Sequence, residues 1–446
     1  MTVSSTPSGD KALATTRTYG GAIVPFNVLE TTNRDLFAAF VYFFHPDSIE
    51  TLRRAFQEWT QREHIVFAPS GQCAIAQILS VLPQQEVEMP AWICHDVKVA
   101  AEVAGKRIIY VDLNKNGINA TSTEYAAAAK PGRILLAAHL FGVPTDIQAI
   151  CDLARNRDCV TIEDAVPAFG GRQNGRLLGT FADFGVFSFQ QSKRISGIRG
   201  AAIVVNNERL VEPAKLAATR VTATRRTLPL LGLARGLAQN FGTAPWFYRN
   251  VTLKLLPLRP RLEQLLSGHP RRSRPDGPAT VTSTETKAKP APRTQYYTRE
   301  MHPYQAELVL TMLNRIDRIG EKIAQLASIY SDIFRDTRVA TFLPPGCDKG
   351  GLMRFPIAFP EKGREEILRL ASERGLYLKV LWSRPLPPES EWARFPNACW
   401  IARNLVLLPL YTALDPGSAA VIARSVVEIE RAVRPLQRAV LSRAAV

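Results

Sequence analysis

The six cysteines, at 73, 94, 151, 159, 347 and 399, form no C-x-x-C pair, and no histidine stands beside them at metal-ligand spacing except His95 next to Cys94. A metal knuckle, a redox dithiol or a disulfide scaffold would need such pairs, so no metal site is expected and the cysteines read as reduced thiols of a cytoplasmic protein. No run of about eighteen uncharged apolar residues occurs, which argues against a membrane-spanning helix. The first residues, MTVSSTPSGDKALATTR, lack an apolar segment, so neither a signal peptide nor an anchor is expected there.

Acidic residues are scarce in one place. Between Arg220 and Arg293, fourteen Lys or Arg stand against three acids, Glu263, Asp276 and Glu285, so this stretch carries most of the net charge of +16. A nucleic-acid binder is not expected, because the remainder is only mildly basic and the cations of the stretch are mixed with Leu and Pro in no recognisable binding fold.

At 446 residues and 46% hydrophobic, the chain is long and apolar enough for two or three domains. Residues 1–20 have the small, polar composition of a disordered tail. A helical pattern runs from Asp35 to Thr60, with Phe37, Phe40 and Phe44 as an expected core stripe. After Ile65-Val66-Phe67 and the turn Pro69-Ser70-Gly71-Gln72, short apolar segments alternate with helical ones: RIIYVDL (107–113), RILLAAHLF (133–141), CVTIED (159–164), FGVFSF (184–189) and AAIVV (201–205). Fully apolar strands separated by helices predict an α/β domain over 21–224, with a mainly parallel sheet covered on both faces. Residues 225–295 read as a basic, Leu- and Pro-rich insertion. Residues 296–446 read as a long linking helix, YQAELVLTMLNRIDRIGEKIAQLASIYSDIF, and a small α+β domain with MRFPIAF and LYLKVLW as strands.

A parallel sheet binds ligands beyond the carboxyl ends of its strands, so residues at strand exits are candidates. VTIED ends on Asp164, whose carboxylate suits a protonated ring nitrogen. VFSFQQ leads to Ser192-Lys193, an amine aimed into the crevice and fit to act as a nucleophile. Ser188 and Ser192 offer hydroxyls to a phosphate, and Ser70, Gly71 and Gln72 open a helix whose N–H groups suit an anion. Each feature alone has a plainer reading: a helix cap, a surface cation beside Arg194, a solvated carboxylate. Their ordered occurrence in one doubly wound sheet argues for a site.

These residues resemble the DegT/StrS family of sugar aminotransferases, a branch of the fold type I pyridoxal-phosphate (PLP) enzymes. The similarity is carried by APSGQCAIAQIL, MPAWICHDV, AAHLFGVPTDIQAICDLARNRDCVTIEDAVPAFGG, GRLLGTFADFGVFSFQQSK and, near the C-terminus, RNLVLLPLY. The resemblance implies fold type I, with a mainly parallel seven-stranded sheet flanked by helices and a small C-terminal α+β domain. It implies PLP as cofactor, with Lys193 as the catalytic lysine that forms the Schiff base and Asp164 as the partner of the pyridine nitrogen. Ser188 would bind the phosphate together with the backbone of Gly71 and Gln72. The position of the family's ring-stacking aromatic falls on Cys94, so Trp92 or His95 is left to take that part. Three departures stand out: Gln72 for the family's Thr, Pro167 for its Gln, and TREMHPYQA, which has Thr298 for Asn and Glu300 for Arg.

The resemblance further implies transfer of an amino group from an amino acid, glutamate by analogy, to a nucleotide-linked keto-sugar, within a homodimer. A dehydratase is disfavoured because that branch replaces the lysine with histidine. A non-catalytic PLP-binding protein, or an enzyme acting on a non-sugar substrate, remains the alternative that the departures suggest. For the basic insertion, residues 225–293, a solvated loop competes with a peripheral contact to anionic membrane.

Overall fold

In the computed structural model, described for residues 24–42, 45, 47–128, 130–219, 227–255, 301–360, 363–376 and 378–433, the apolar segments form one seven-stranded sheet. The strands are β1 (His64–Ala68), β2 (Glu86–Pro90), β3 (Arg107–Val111), β4 (Ile134–Ala138), β5 (Val160–Asp164), β8 (Phe184–Ser188) and β9 (Ala201–Val205), with a two-stranded hairpin of β6 (Arg172–Gln173) and β7 (Arg176–Leu177) between β5 and β8. Their order is β1-β9-β8-β5-β4-β2-β3, and β9 alone runs antiparallel to its neighbours. The expected mainly parallel α/β sheet is therefore present. Strands β4, β8 and β9 are buried at every position, as strands covered on both faces must be.

Helices α1 (Asn33–Val41), α2 (Asp47–Thr60), α3 (Gly71–Val81), α4 (His95–Val103), α5 (Ser122–Ala128), α6 (Ile147–Asn156) and α7 (Val211–Thr219) belong to this layer. The helical pattern of 35–60 is two helices, and the expected aromatic stripe is not core. Phe37 and Phe40 are 58% and 40% exposed, while Leu36 and Ala39 bury against Tyr304 and Leu308; Phe44 lies outside the described residues. A nine-residue helix can bury one face, and here Asp35, Leu36 and Ala39 form it.

Within the stretch read as an insertion, α8 (Thr227–Gly242) packs Leu233 and Leu237 beside Leu36 and Ile198. The extended linking helix is broken at Asn314-Arg315 into α9 (Pro303–Leu313) and α10 (Ile316–Phe334). The C-terminal part adds α11 (Arg364–Glu373), α12 (Pro396–Asn404) and α13 (Pro416–Ala432) around a three-stranded antiparallel sheet, β10 (Ala340–Thr341), β11 (Phe355–Ala358) and β12 (Leu405–Leu408). MRFPIAF supplies β11 as expected. The described residues of LYLKVLW form no strand; they make a single bridge, Lys379 to Leu407, and the third strand comes instead from LVLL. Among the described residues no helix is long and apolar enough to cross a membrane.

Candidate active site

Two carboxylates end β5, and adjacent strand residues face opposite sides of the sheet. Glu163 is fully buried, and its Oε1 accepts from His139 Nε2 at 3.0 Å and Gly179 N at 2.6 Å. Its Oε2 accepts from Phe181 N at 2.9 Å and Ala182 N at 3.3 Å. Because His139 Nδ1 accepts from Thr145 N at 3.1 Å, the ring proton sits on Nε2 and points at Glu163. Glu163 thus holds the chain between β7 and β8 in place. Asp164, 4% exposed, accepts on Oδ1 from Val166 N at 3.1 Å and from no other described donor. Burial pushes its carboxyl above the usual range, while the charge of Lys193, the Val166 amide and His139 pull the other way.

Beyond Ser188 the chain does not simply leave the sheet. Phe189 N donates to Gly200 O at 2.8 Å, Gly197 N to Phe189 O at 3.0 Å and Lys193 N to Gln190 O at 2.8 Å, which braces a tight loop around Lys193. The two adjacent cations in that loop have different surroundings. Lys193 is half-buried, and its charge is felt by both Asp164 and Cys94. Arg194 is buried and donates to the Gly350 carbonyl; burial draws its guanidinium down to about 10, against the opposing charge of Glu30. Glu30 accepts from Thr412 N at 3.0 Å and lies within the influence of Arg194 and Arg354. This buried cluster of Glu30, Arg194 and Arg354 ties the N-terminal strap, the lysine loop and the C-terminal part together beside the site. Sequence reasoning missed it, since its members lie far apart in the chain.

Ser70 caps α3, its Oγ accepting from Cys73 N at 3.2 Å, which leaves the first-turn N–H groups of Gly71 and Gln72 unused by the helix. At Gly71 an added Cβ would stand 3.2 Å from Ser188 Cβ and 3.4 Å from both Ser188 Oγ and Val166 Cγ2. A side chain there would press on Ser188 and Val166, so glycine lets the α3 terminus sit close against the ends of β8 and β5. Ser188 is 3% exposed; its Oγ meets Gln190 N at 3.4 Å, and its hydroxyl hydrogen has no acceptor among the described residues.

The sequence-selected residues of β2 and α4 divide. Trp92 is fully buried, donates from Nε1 to Trp382 O at 2.7 Å and packs edge-on to Phe141 and Trp382, so it is a core residue. His95 opens α4, and its buried Nδ1 has no hydrogen-bond partner. Cys94 precedes it; burial, then Asp96, push its thiol up to about 11, with Lys193 opposing. Pro167 is buried and brings no donor to the site. Thr298 and Glu300 lie outside the described residues.

The residues fit PLP. A buried carboxylate with a single backbone donor, a half-buried lysine whose charge it feels, and a helix N-terminus closed on a buried serine hydroxyl offer partners for a pyridinium nitrogen, an aldehyde carbon and a phosphate. A cavity of about 550 Å³ lies elsewhere, along edge strand β1 between Arg53, Phe67 and Lys215, and none of these residues lines it.

Comparison with known proteins matches residues 43–232 and 285–427 to the model of the DegT/DnrJ/EryC1/StrS aminotransferase family. Protein MosB of Rhizobium meliloti is 29% identical over 168 residues, 37% of this chain and 33% of that protein. The UDP-N-acetyl-3-dehydro-alpha-D-glucosamine 3-aminotransferase of Acidithiobacillus ferrooxidans is 30% identical over 153 residues, 33% of this chain and 42% of that protein. The matched stretch therefore spans between a third and a half of these relatives. The solved structure of the aminotransferase TlmJ from Streptoalloteichus hindustanus superposes with a TM-score of 0.67 at 18% identity, covering 92% of this chain and 99% of that one, which shows a shared fold.

Proposed function

The chain belongs to the DegT/DnrJ/EryC1/StrS aminotransferase family, and from that membership we propose that it is a PLP-dependent aminotransferase moving an amino group from an amino acid, glutamate by analogy, to a nucleotide-linked keto-sugar. The observation that carries the reading is the convergence of Lys193, Asp164 and the α3 turn at neighbouring strand exits. The sugar acceptor is supported by the similarity to an enzyme whose name describes a UDP-linked dehydro-sugar as substrate.

In this reading Lys193 Nζ would be the amine that holds the cofactor's aldehyde carbon and would carry the proton between donor Cα and acceptor. Asp164 would pair with the protonated ring nitrogen, and Ser188 Oγ with Gly71 N and Gln72 N would hold the phosphate. When bound, PLP supplies the electron sink that makes that Cα proton acidic. With Trp92 committed to the core, Cys94 and His95 are the side chains proposed to face the ring.

We also propose a homodimer and a cytoplasmic place, with α8 and the residues after it touching anionic membrane. Membrane contact is supported by exposed Leu231, Phe241 and Trp246 and by Arg235, Arg249 and Lys254, with no acid between 227 and 255. Light scattering at micromolar concentration reads the dimer. Equal co-sedimentation of wild type and a deletion of 225–293 with anionic liposomes would remove the membrane contact.

The deciding experiment incubates the protein with PLP, reduces it with borohydride and maps the modified residue by mass spectrometry. A pyridoxyl group on Lys193, lost in Lys193→Ala along with activity, is expected. Its absence in wild type would leave a non-catalytic member of the family, the reading that Pro167, Thr298 and Glu300 favour.

A further inference from the structure

We infer that Arg199 provides the cation that completes the phosphate end of this site, from the same chain as Lys193. The inference rests on the proposal that the site takes PLP.

The argument begins with charge. A phosphate monoester carries about −1.5 to −2 near neutral pH. A helix N-terminus answers with roughly +0.5, and a serine hydroxyl adds a dipole but no charge. The turn made by Ser70, Gly71, Gln72 and Ser188 therefore leaves roughly one unit of negative charge unmatched. A cation on a segment built against that turn would make up the difference.

Three cations stand in the loop between β8 and β9. Arg194 is buried on Gly350 O and paired electrostatically with Glu30, and the charge of Lys193 acts on Asp164 and Cys94. Arg199 is placed differently. The next residue, Gly200, donates its N–H to Pro69 O at 3.1 Å, so the backbone at Arg199 is tied to the residue immediately before Ser70. Gly200 also accepts from Phe189 N at 2.8 Å, and Ser188 stands opposite Ala201 in the β8–β9 pairing, which places Arg199 at the serine end of the sheet.

That placement is rigid. Gly200 has φ +115°, and a Cβ there would meet Met301 Sδ at 2.9 Å and Phe189 Cδ2 at 3.2 Å, so the turn that carries Arg199 past Pro69 relies on glycine. The Arg199 side chain is exposed, and its charge reaches the first turn of α3, where it opposes the effect of burial on the Cys73 thiol. A guanidinium at this point can present two parallel N–H donors to phosphate oxygens, which an ammonium cannot.

The test compares PLP with pyridoxal, which lacks the phosphate, by titrating each into the full-length protein and following absorbance and tryptophan fluorescence. Arg199→Gln is expected to weaken PLP binding about ten-fold or more while leaving pyridoxal affinity unchanged, with Arg199→Lys recovering part of the loss. Inorganic phosphate should compete with pyridoxal phosphate less well in Arg199→Gln than in wild type. PLP affinity equal in wild type and Arg199→Gln would overturn the inference, as would a loss of the same size for pyridoxal. Failure of the wild type to bind PLP would instead overturn the cofactor proposal and this inference with it. Melting curves of the cofactor-free variants beside wild type check that a changed affinity is not a changed fold.

Discussion

His139 Nε2 meets Glu163 Oε1 at 3.0 Å with both side chains fully buried, and this pairing decides what each of the two acids ending β5 does. Glu163 satisfies four donors of the surrounding backbone and histidine, while Asp164, one residue on and facing the other way, keeps a single amide.

Glu163→Ala would leave those donors buried and unpartnered. It is expected to lower stability by about 3 kcal/mol or more in urea unfolding, whereas Asp164→Ala should lower it far less. Comparable losses at the two positions would contradict the division of roles.

Asp164→Asn separates stability from cofactor binding. The carboxyl is raised by burial, so the folded protein holds that proton more tightly than the unfolded chain does. Wild-type stability should therefore fall as pH rises from near 4 through the raised folded value, and the variant should lack this loss. Without cofactor, Asp164→Asn is expected to melt no lower than wild type at pH 7 and to match it below pH 4. Its PLP affinity should drop about ten-fold.

Asp35 gives the opposite sign. Burial works against its charge, but the Arg315 fork, at 2.9 Å on each carboxylate oxygen, and the Thr32 amide and hydroxyl outweigh burial and hold the carboxyl below its usual range. Its contribution is present above the unfolded value near 4 and lost as pH falls through the lower folded value. Asp35→Asn should cost about 3 kcal/mol at pH 7, since it leaves the largely shielded Arg315 without its charge partner, and the gap in melting temperature should close in acid.

At Cys94 the raised thiol, near 11, predicts slow alkylation by iodoacetamide at pH 8, because the thiolate is the reactive form. If Cys94 faces the cofactor ring, Cys94→Phe should tighten PLP binding by about 1 kcal/mol, roughly five-fold, through ring stacking. Unchanged affinity would place the ring against His95 instead.

Much of the large domain is legible along the chain. β4 and β9 are continuous apolar runs and β8 is apolar up to Ser188, and a strand buried on both faces has little choice of composition. β2 was not legible. Its Glu86 and Glu88 suggest a surface, yet Glu88 is fully buried, with Arg133 Nη1 at 2.7 Å from Oε1, and that partner comes from the start of β4. Phe37 and Phe40 misled in the other direction, because the face a short helix buries is chosen by its neighbours, here Tyr304 and Leu308.

The succession of strands along the chain, the residues at their exits and the Ser-Gly turn follow from local composition, and by themselves they mark Asp164, Lys193, Ser188 and Gly71 as candidates; the order of the strands within the sheet does not. Only the tertiary structure showed what occupies their neighbours: Glu163 spends its carboxylate on four donors, Arg194 donates to Gly350, and Trp92 is core. Side-chain direction reverses from one strand residue to the next, and the groups that claim a buried charge, such as Gly179 for Glu163 and Gly350 for Arg194, come from distant segments that only folding brings together.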